Sequence, residues 1–130
     1  MSYGAAIEEG SAGSLMVVER TLIVQLNPAL TDSAVRRLRD VVGSTLEAQQ
    51  LRALVINMAS VDMMDSYLTR CIRDLAVSAR LMGVPTIVCG VQPAVADTLV
   101  EMGMDLGDVR TTLNLDSALR LVKQSRRARS

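Results

Sequence analysis

Apolar residues form two patterns along this chain: short unbroken runs, and stripes at helical spacing. The runs at 53–57 and 86–89 have strand length, and unbroken apolar strands suit a sheet covered on both faces. Between them, residues 68–82 place apolar side chains three and four positions apart, which predicts an amphipathic helix that ends at Gly83 and Pro85. Its predicted inner face comprises Leu68, Cys71, Ile72, Leu75, Ala76, Ala79 and Met82.

The first part of the chain predicts a hairpin-like segment and a helix. Residues 15–18 are apolar and residues 21–26 are mostly so, which predicts either two strands around a tight turn or one bent strand. Thr31 is a favourable N-cap for a helix that starts at Asp32, whose carboxylate suits the first turn. The apolar stripe of this helix comprises Val35, Leu38, Val42 and Leu46.

A third helix is predicted from Pro93 to Gly103, because proline suits a first helical turn and glycine a helix end. Its predicted apolar set comprises Val95, Ala96, Leu99, Val100 and Met102. A last short strand at 109–113 and a final helix at 116–123, with Asn114 or Leu115 near its N-cap, complete the pattern.

Strands and helices alternate from residue 53 onward, which predicts parallel strands joined by right-handed crossovers. With the hairpin-like segment, the pattern predicts one α/β domain with a mixed, mostly parallel sheet of about five strands and about four helices. The domain is expected to span 15–123, between a flexible N-terminal arm at 1–14 and a basic tail at 124–130.

Composition narrows the function classes. The 130 residues carry 14 basic and 14 acidic side chains, which argues against nucleic acid as a partner and permits self-association. No apolar stretch is long enough to span a membrane and no signal peptide is recognisable, so a cytoplasmic location without a membrane partner is expected. Cys71 and Cys89 lie at apolar positions and are interpreted as small buried hydrophobes.

A serine at the predicted junction of strand and helix is the main candidate for function. Ser66 follows Asp62 and Asp65 in the stretch DMMDSY. It is either an N-cap or a phosphate acceptor, because a helix N-terminus favours a bound or attached phosphate. A phosphate there adds nearly two negative charges with little damage to the fold, which suits a docking switch.

Catalytic interpretations find less support. The chain has no histidine, so only Lys123 could activate Ser66, and no metal site or cofactor is predicted. Asp62 and Asp65 could act as acid and base in a small hydrolase or phosphotransferase, but ordinary capping produces the same spacing. Strand-to-helix turns of parallel units share one edge of the sheet, so Ser66 and residues 90–98 are expected to lie on one surface.

Two segments resemble a known family. VINMASVDMMDSYL and SARLMGVPTIVCGVQPAVADTLVEMGMDL are similar to the STAS domain family of anti-sigma-factor antagonists, in particular to the scaffold branch found in stressosomes. The resemblance implies that a switch kinase phosphorylates Ser66 and that a dedicated phosphatase reverses this. It also implies assembly with co-antagonist STAS paralogues into a large shell. Thr98 matches a second threonine that is modified in co-antagonists.

The chain departs from the family pattern at two places. It reads Asp65-Ser66-Tyr67-Leu68 where simple antagonists read Asp-Ser-Ser-Gly, and it has Asn57 where many members have Asp. The first difference, with only about 14 residues ahead of the first strand, favours a sensor-less scaffold. The expected function is therefore a non-enzymatic signalling scaffold that forms homo-oligomers; the alternative is a simple antagonist that binds one anti-sigma kinase. The expected docking residues are Asp62, Asp65, Tyr67, Gln92 and Pro93.

Overall fold

The computed structural model describes residues 13–28, 30–101 and 109–129. The strands are β1 (Gly13–Val18), β2 (Thr21–Leu26), β3 (Ala53–Asn57), β4 (Thr86–Cys89) and β5 (Arg110–Thr112). The helices are α1 (Asp32–Ala48), α2 (Ser66–Leu81), α3 (Pro93–Glu101) and α4 (Leu115–Arg129). The strands form one sheet in chain order, in which β1 is antiparallel to β2 and the other neighbours are parallel. The predicted fold class is confirmed.

Helices cover the two faces of the sheet unequally. The larger apolar cluster packs α1, α2 and α3 against one face, and a smaller cluster packs α4 against the other. Every residue of β3 is buried as a result, which explains its unbroken apolar sequence. Cys71 and Cys89 are buried free thiols, as predicted, and burial raises the pKa of Cys89. None of the described helices is both long and apolar enough to cross a bilayer.

Capping residues in the sequence correctly predicted several helix ends. Thr31 caps α1, because its hydroxyl accepts a hydrogen bond from the Ala34 amide at 3.2 Å. The Asn114 carboxamide accepts from the Ser117 amide at 2.9 Å, which selects Asn114 as the cap of α4. Gly83 has a φ of 78°, the left-handed conformation expected after a helix.

The main differences from the prediction concern four boundaries or faces. Met82 follows α2 as its C-cap and is 42% exposed, and Val100 is 80% exposed because Val95 and Leu99 provide the inner face of the short helix α3. Strand β1 starts at Gly13, within the predicted arm, and α4 continues to Arg129, through most of the predicted tail. The rest of the arm, Met102 and Gly103 lie outside the described residues.

The hairpin between β1 and β2 has an unusual turn. Glu19 and Arg20 both adopt positive φ, 48° and 64°, and a two-residue turn of this kind normally carries asparagine and glycine. Distant groups hold it in place: the Arg20 guanidinium donates to the Gln50 carbonyl at 2.8 Å, and the Arg20 carbonyl accepts from the Arg52 amide at 2.7 Å. The turn is therefore strained locally and stabilised by tertiary contacts.

Replacing Glu19 with asparagine should stabilise the protein. Asparagine tolerates the left-handed conformation better, so Glu19→Asn should raise the free energy of unfolding by roughly 0.5–1 kcal/mol in urea denaturation. Glu19→Gln is the matched control, because it removes the charge and keeps the backbone penalty. Equal stabilisation by both variants would assign the effect to charge and contradict the strained turn.

Candidate phosphorylation and docking site

The loop from β3 to α2 alternates between anchors and exposed residues. Met58, Val61 and Met64 are buried in the larger cluster, and the Val61 amide donates to the Met58 carbonyl at 3.0 Å. Between these anchors, Asp62 is exposed and Met63 is 80% exposed. The core therefore fixes the loop at three points, while its intervening side chains face solvent.

Asp65, and not Ser66, is the N-cap of α2. The Asp65 carboxylate accepts a hydrogen bond from the Leu68 amide at 2.8 Å, and its carbonyl accepts from the amide and the hydroxyl of Thr69. Ser66 is the first residue of the helix. The interpretation of Ser66 as a plain N-cap is therefore wrong: its neighbour, whose carboxylate also favours the positive end of the helix dipole, takes that position.

The Ser66 side chain is exposed, and within residues 30–101 its hydroxyl makes no hydrogen bond. Amide groups in the first turn of a helix lack partners within the helix. A phosphate on this hydroxyl would meet the favourable end of the dipole and would not have to displace a cap. The position is therefore chemically suited to accept a phosphate while the helix stays intact.

Tyr67 connects the start of α2 to α1. It is half-buried against the larger cluster, and its hydroxyl interacts with the guanidinium of Arg36, whose pKa it raises. The contact bridges the two helices beside Ser66. It was not predicted, because no local pattern connects residues so far apart in sequence.

A surface depression of about 300 Å³ lies between the β2–α1 and β3–α2 connections. Three carboxylates contribute to its lining, from Asp32, Asp62 and Asp65, together with Tyr67 and an apolar set. That apolar set comprises Pro28, Leu30, Val35, Met63, Met64 and Leu68. Within the described residues, no three His, Cys, Asp or Glu side chains converge closely enough to hold a metal ion.

Side-chain amides at the carboxyl edge join β2, β3 and the loops that follow β3 and β4. The Asn57 carboxamide accepts from the Ala59 amide at 3.0 Å and donates to the Gln25 side chain at 3.3 Å. The Gln92 side chain donates to the Ala59 carbonyl at 2.8 Å. The loop that leads to Ser66 is thus attached both to β2 and to the loop before α3, so these segments form one surface.

Gly90 makes this close approach possible. It has a φ of 74°, and a Cβ there would lie 3.1 Å from Ala59 and from the Asn57 carboxamide oxygen. A side chain at this position would therefore press on the loop that carries the candidate site. The sequence showed Gly90 as a turn residue, but it gave no sign of this contact.

The remaining predicted residues lie on or beside α3. Gln92 is half-buried in its hydrogen bond to the loop, and Pro93 is exposed as the first helical residue. The Thr98 hydroxyl donates to the Ala94 carbonyl at 3.0 Å, as threonine commonly does on a helix surface. The structure joins Asp62, Asp65, Tyr67 and Gln92 to the loop around Ser66, and it shows Thr98 one helix away, in a local hydrogen bond.

Residues 14–118 match the sequence profile of the STAS domain. The chain belongs to the STAS domain family. This confirms the resemblance that the two sequence segments indicated. The match covers all five strands except the first residue of β1, and it extends into α4.

Solved STAS structures closely resemble this one. RsbS of Moorella thermoacetica, a serine-to-glutamate variant, is 30% identical with a TM-score of 0.81; the match covers 90% of this chain and 99% of that chain. A chain of the stressosome, described as a signal integration and transduction hub, is 31% identical with a TM-score of 0.77, over 87% and 98% of the two chains.

A longer relative shares the same domain. The RsbT co-antagonist protein RsbRD of Bacillus subtilis is 30% identical over 95 residues, which cover 71% of this chain and 34% of RsbRD. This STAS chain therefore spans about a third of the length of that relative.

Alanine substitutions of Asp65 and Ser66 test which residue caps α2. Asp65→Ala removes the cap of α2 and should lower the free energy of unfolding by about 1 kcal/mol. Ser66→Ala should change it by no more than about 0.5 kcal/mol, because the hydroxyl caps nothing. Urea denaturation of both variants measures this. A larger loss for Ser66→Ala than for Asp65→Ala would restore serine as the cap.

Proposed function

We propose that this STAS protein is a non-enzymatic scaffold of a stressosome-like assembly, which sequesters a switch kinase and is regulated by phosphorylation of Ser66. The observation that carries the proposal is the exposed Ser66 hydroxyl, which Asp65 leaves free of any capping role. A hydroxyl in this position accepts a phosphate without loss of the helix. The similarity to RsbS and to a stressosome chain supports the scaffold role.

The surroundings of Ser66 suggest how phosphorylation acts. Asp32, Asp62 and Asp65 already line the neighbouring depression, and a phosphate adds nearly two more negative charges. A partner that covers this edge would have to desolvate that charge and meet the repulsion between like charges. Phosphorylation of Ser66 therefore weakens docking at this surface and releases the kinase.

The docking surface extends from the α2 start to the α3 start. Met63 supplies an exposed apolar contact, and Asp62 and Tyr67 lie beside it around the depression. Gln92 holds the adjoining loop against Ala59, and Pro93 follows it at the start of α3. Because hydrogen bonds hold the two loops together, a partner meets a preorganised surface and less entropy is lost on binding.

Three kinds of partner follow from the proposal. A co-antagonist STAS paralogue would share the shell with copies of this chain, and RsbRD is an example of a co-antagonist protein with a matching domain. A switch kinase would bind at the Ser66 edge, and a phosphatase would reverse the modification. Thr98 is a second candidate for phosphorylation on the same assembly.

Incubation with the cognate switch kinase and ATP should place a phosphate on Ser66. Phosphopeptide mass spectrometry measures the modified position, with Ser66→Ala as the variant that should lose the signal. Thr98→Ala is the matched control, because it removes a hydroxyl from the next helix and should leave modification of Ser66 unchanged. An unmodified Ser66, or an unaltered phosphopeptide pattern in Ser66→Ala, contradicts the proposal.

A simple antagonist that binds one anti-sigma kinase is the alternative function, since the STAS family includes such proteins. The two functions differ in the size of the complex that forms. Mixed with its co-antagonist, a scaffold should elute from size-exclusion chromatography in a megadalton particle, and the same mixture with a simple antagonist should not. A one-to-one kinase complex without any large particle would favour the alternative.

A further inference from the structure

Strand β1 forms an edge of the sheet, and its sequence lacks the features that usually protect an edge. Within the described residues β1 pairs only with β2. Its six residues, GSLMVV, include no proline, no lysine and no acidic side chain. Natural edge strands commonly use such residues to prevent pairing with another chain. Among the residues that the structure describes, this edge is therefore open to a further strand.

The register of the hairpin shows which backbone groups face outward. Val18 is opposite Thr21 across a two-residue turn, so these two residues exchange both backbone hydrogen bonds. Bonded and non-bonded pairs alternate from there, and the amide and carbonyl groups of Leu15 and Val17 consequently point away from β2. Both residues can donate to and accept from a strand added at the edge.

An exposed apolar strip lies beside this edge. Helix α4 packs mainly over β3, β4 and β5, which leaves the part of the same face formed by β1 less covered. Met16 is 48% exposed and Val18 is 40% exposed there. Ile23 lies opposite Met16 and belongs to the cluster under α4, so the strip continues the core outward.

We propose that β1 pairs with β1 of a second copy of this chain, so that two sheets join across a twofold axis. A hydrogen-bonded pair across the new contact needs outward-pointing backbone groups on both residues, so odd residues must lie opposite odd residues. In one such register the outward groups of Leu15 bond those of Val17 in the partner subunit. That register places the two Met16 side chains opposite each other and covers the apolar strip of both copies.

A second copy fits this surface better than a charged partner. The strand carries no charge to attract one, and the chain has no net charge to keep copies apart. A twofold contact is also self-complementary, as pairing between identical strands requires. This surface deepens the proposed scaffold function, which needs copies to assemble, and it lies on a different element from the Ser66 edge.

Sedimentation velocity over a concentration series tests the pairing on the full chain. The chain should form a dimer of twice its 14.0 kDa mass. Met16→Lys should raise the dimer dissociation constant at least about tenfold, since symmetry brings the added charge against its own copy. Val77→Lys, at a 52% exposed position on α2, is the matched control and should leave the constant unchanged.

Crosslinking tests the register. Both native cysteines are buried, so Met16→Cys introduces a single accessible thiol among the described residues. Opposed residues of a non-bonded antiparallel pair lie about 4.5 Å apart at Cα, within the range of a disulfide. Mild oxidation should give a covalent dimer with Met16→Cys and none with Val77→Cys on a non-reducing gel.

Several outcomes would overturn the pairing: a monomer at every concentration, a dimer unaffected by Met16→Lys, equal weakening by the control, or association only with a co-antagonist. Circular dichroism establishes that each variant is folded. Val17→Pro is a second test, because it removes an outward-pointing amide, keeps the bonds to β2 and should also weaken the dimer. Kinase treatment of Met16→Lys separates the two proposals. If Ser66 is modified normally and the pairing tests fail, the β1 pairing is rejected and the proposed phosphorylation of Ser66 is unaffected.

Discussion

Every residue of β3 is buried, because helices cover both faces of the sheet at its centre. The chain can leave such a strand only at its carboxyl edge, where it must turn to begin α2. Met58, Val61 and Met64 continue the burial past the strand end, so the core holds the loop up to the helix cap. The backbone of Ser66 is therefore held in place, although its exposed hydroxyl makes no hydrogen bond to any described residue. Core packing, together with the hydrogen bonds of Asp65 and Asn57, determines where Ser66 lies.

Asn57 and Gln92 connect the loop after β3 to the neighbouring segments on both sides. The Asn57 carboxamide contacts both the loop after β3 and the Gln25 side chain, and Gln92 reaches the same loop from the other side. The positive φ of Gly90 allows the two loops to approach. An aspartate in place of Asn57 could accept from Ala59 but could not donate to the Gln25 oxygen. The neutral residue thus suits this particular arrangement of neighbours, even though many family members carry an acid there.

Sequence alone predicted the elements whose signals are local. Helical stripes, the caps Thr31 and Asn114, and the stop at Gly83 all depend on residues within a few positions of one another. Ser66 was interpreted as a possible cap of α2, but Asp65 is also a good cap, and only the geometry of the first turn shows that Asp65 takes this position. Features held by distant partners, such as the Glu19-Arg20 turn and the contact between Arg36 and Tyr67, left no local signal. The chemistry of a helix start made Ser66 a candidate, but the family resemblance was needed to favour a phosphorylation site over a cap, since a serine at a helix start is common.

The direction of β1 makes the two ends of the domain unequal. Because β1 is antiparallel to β2, Gly13 lies at the carboxyl edge, opposite Leu26. Helix α4 runs the other way, and its later residues Val122 and Lys123 lie near Val18 at the amino edge. The chain therefore enters β1 at the same edge of the sheet as Ser66, and α4 leads toward the opposite edge. A fluorescent label or fused domain attached at the end of α4 would thus lie across the sheet from the surface around Ser66 and would leave that surface uncrowded.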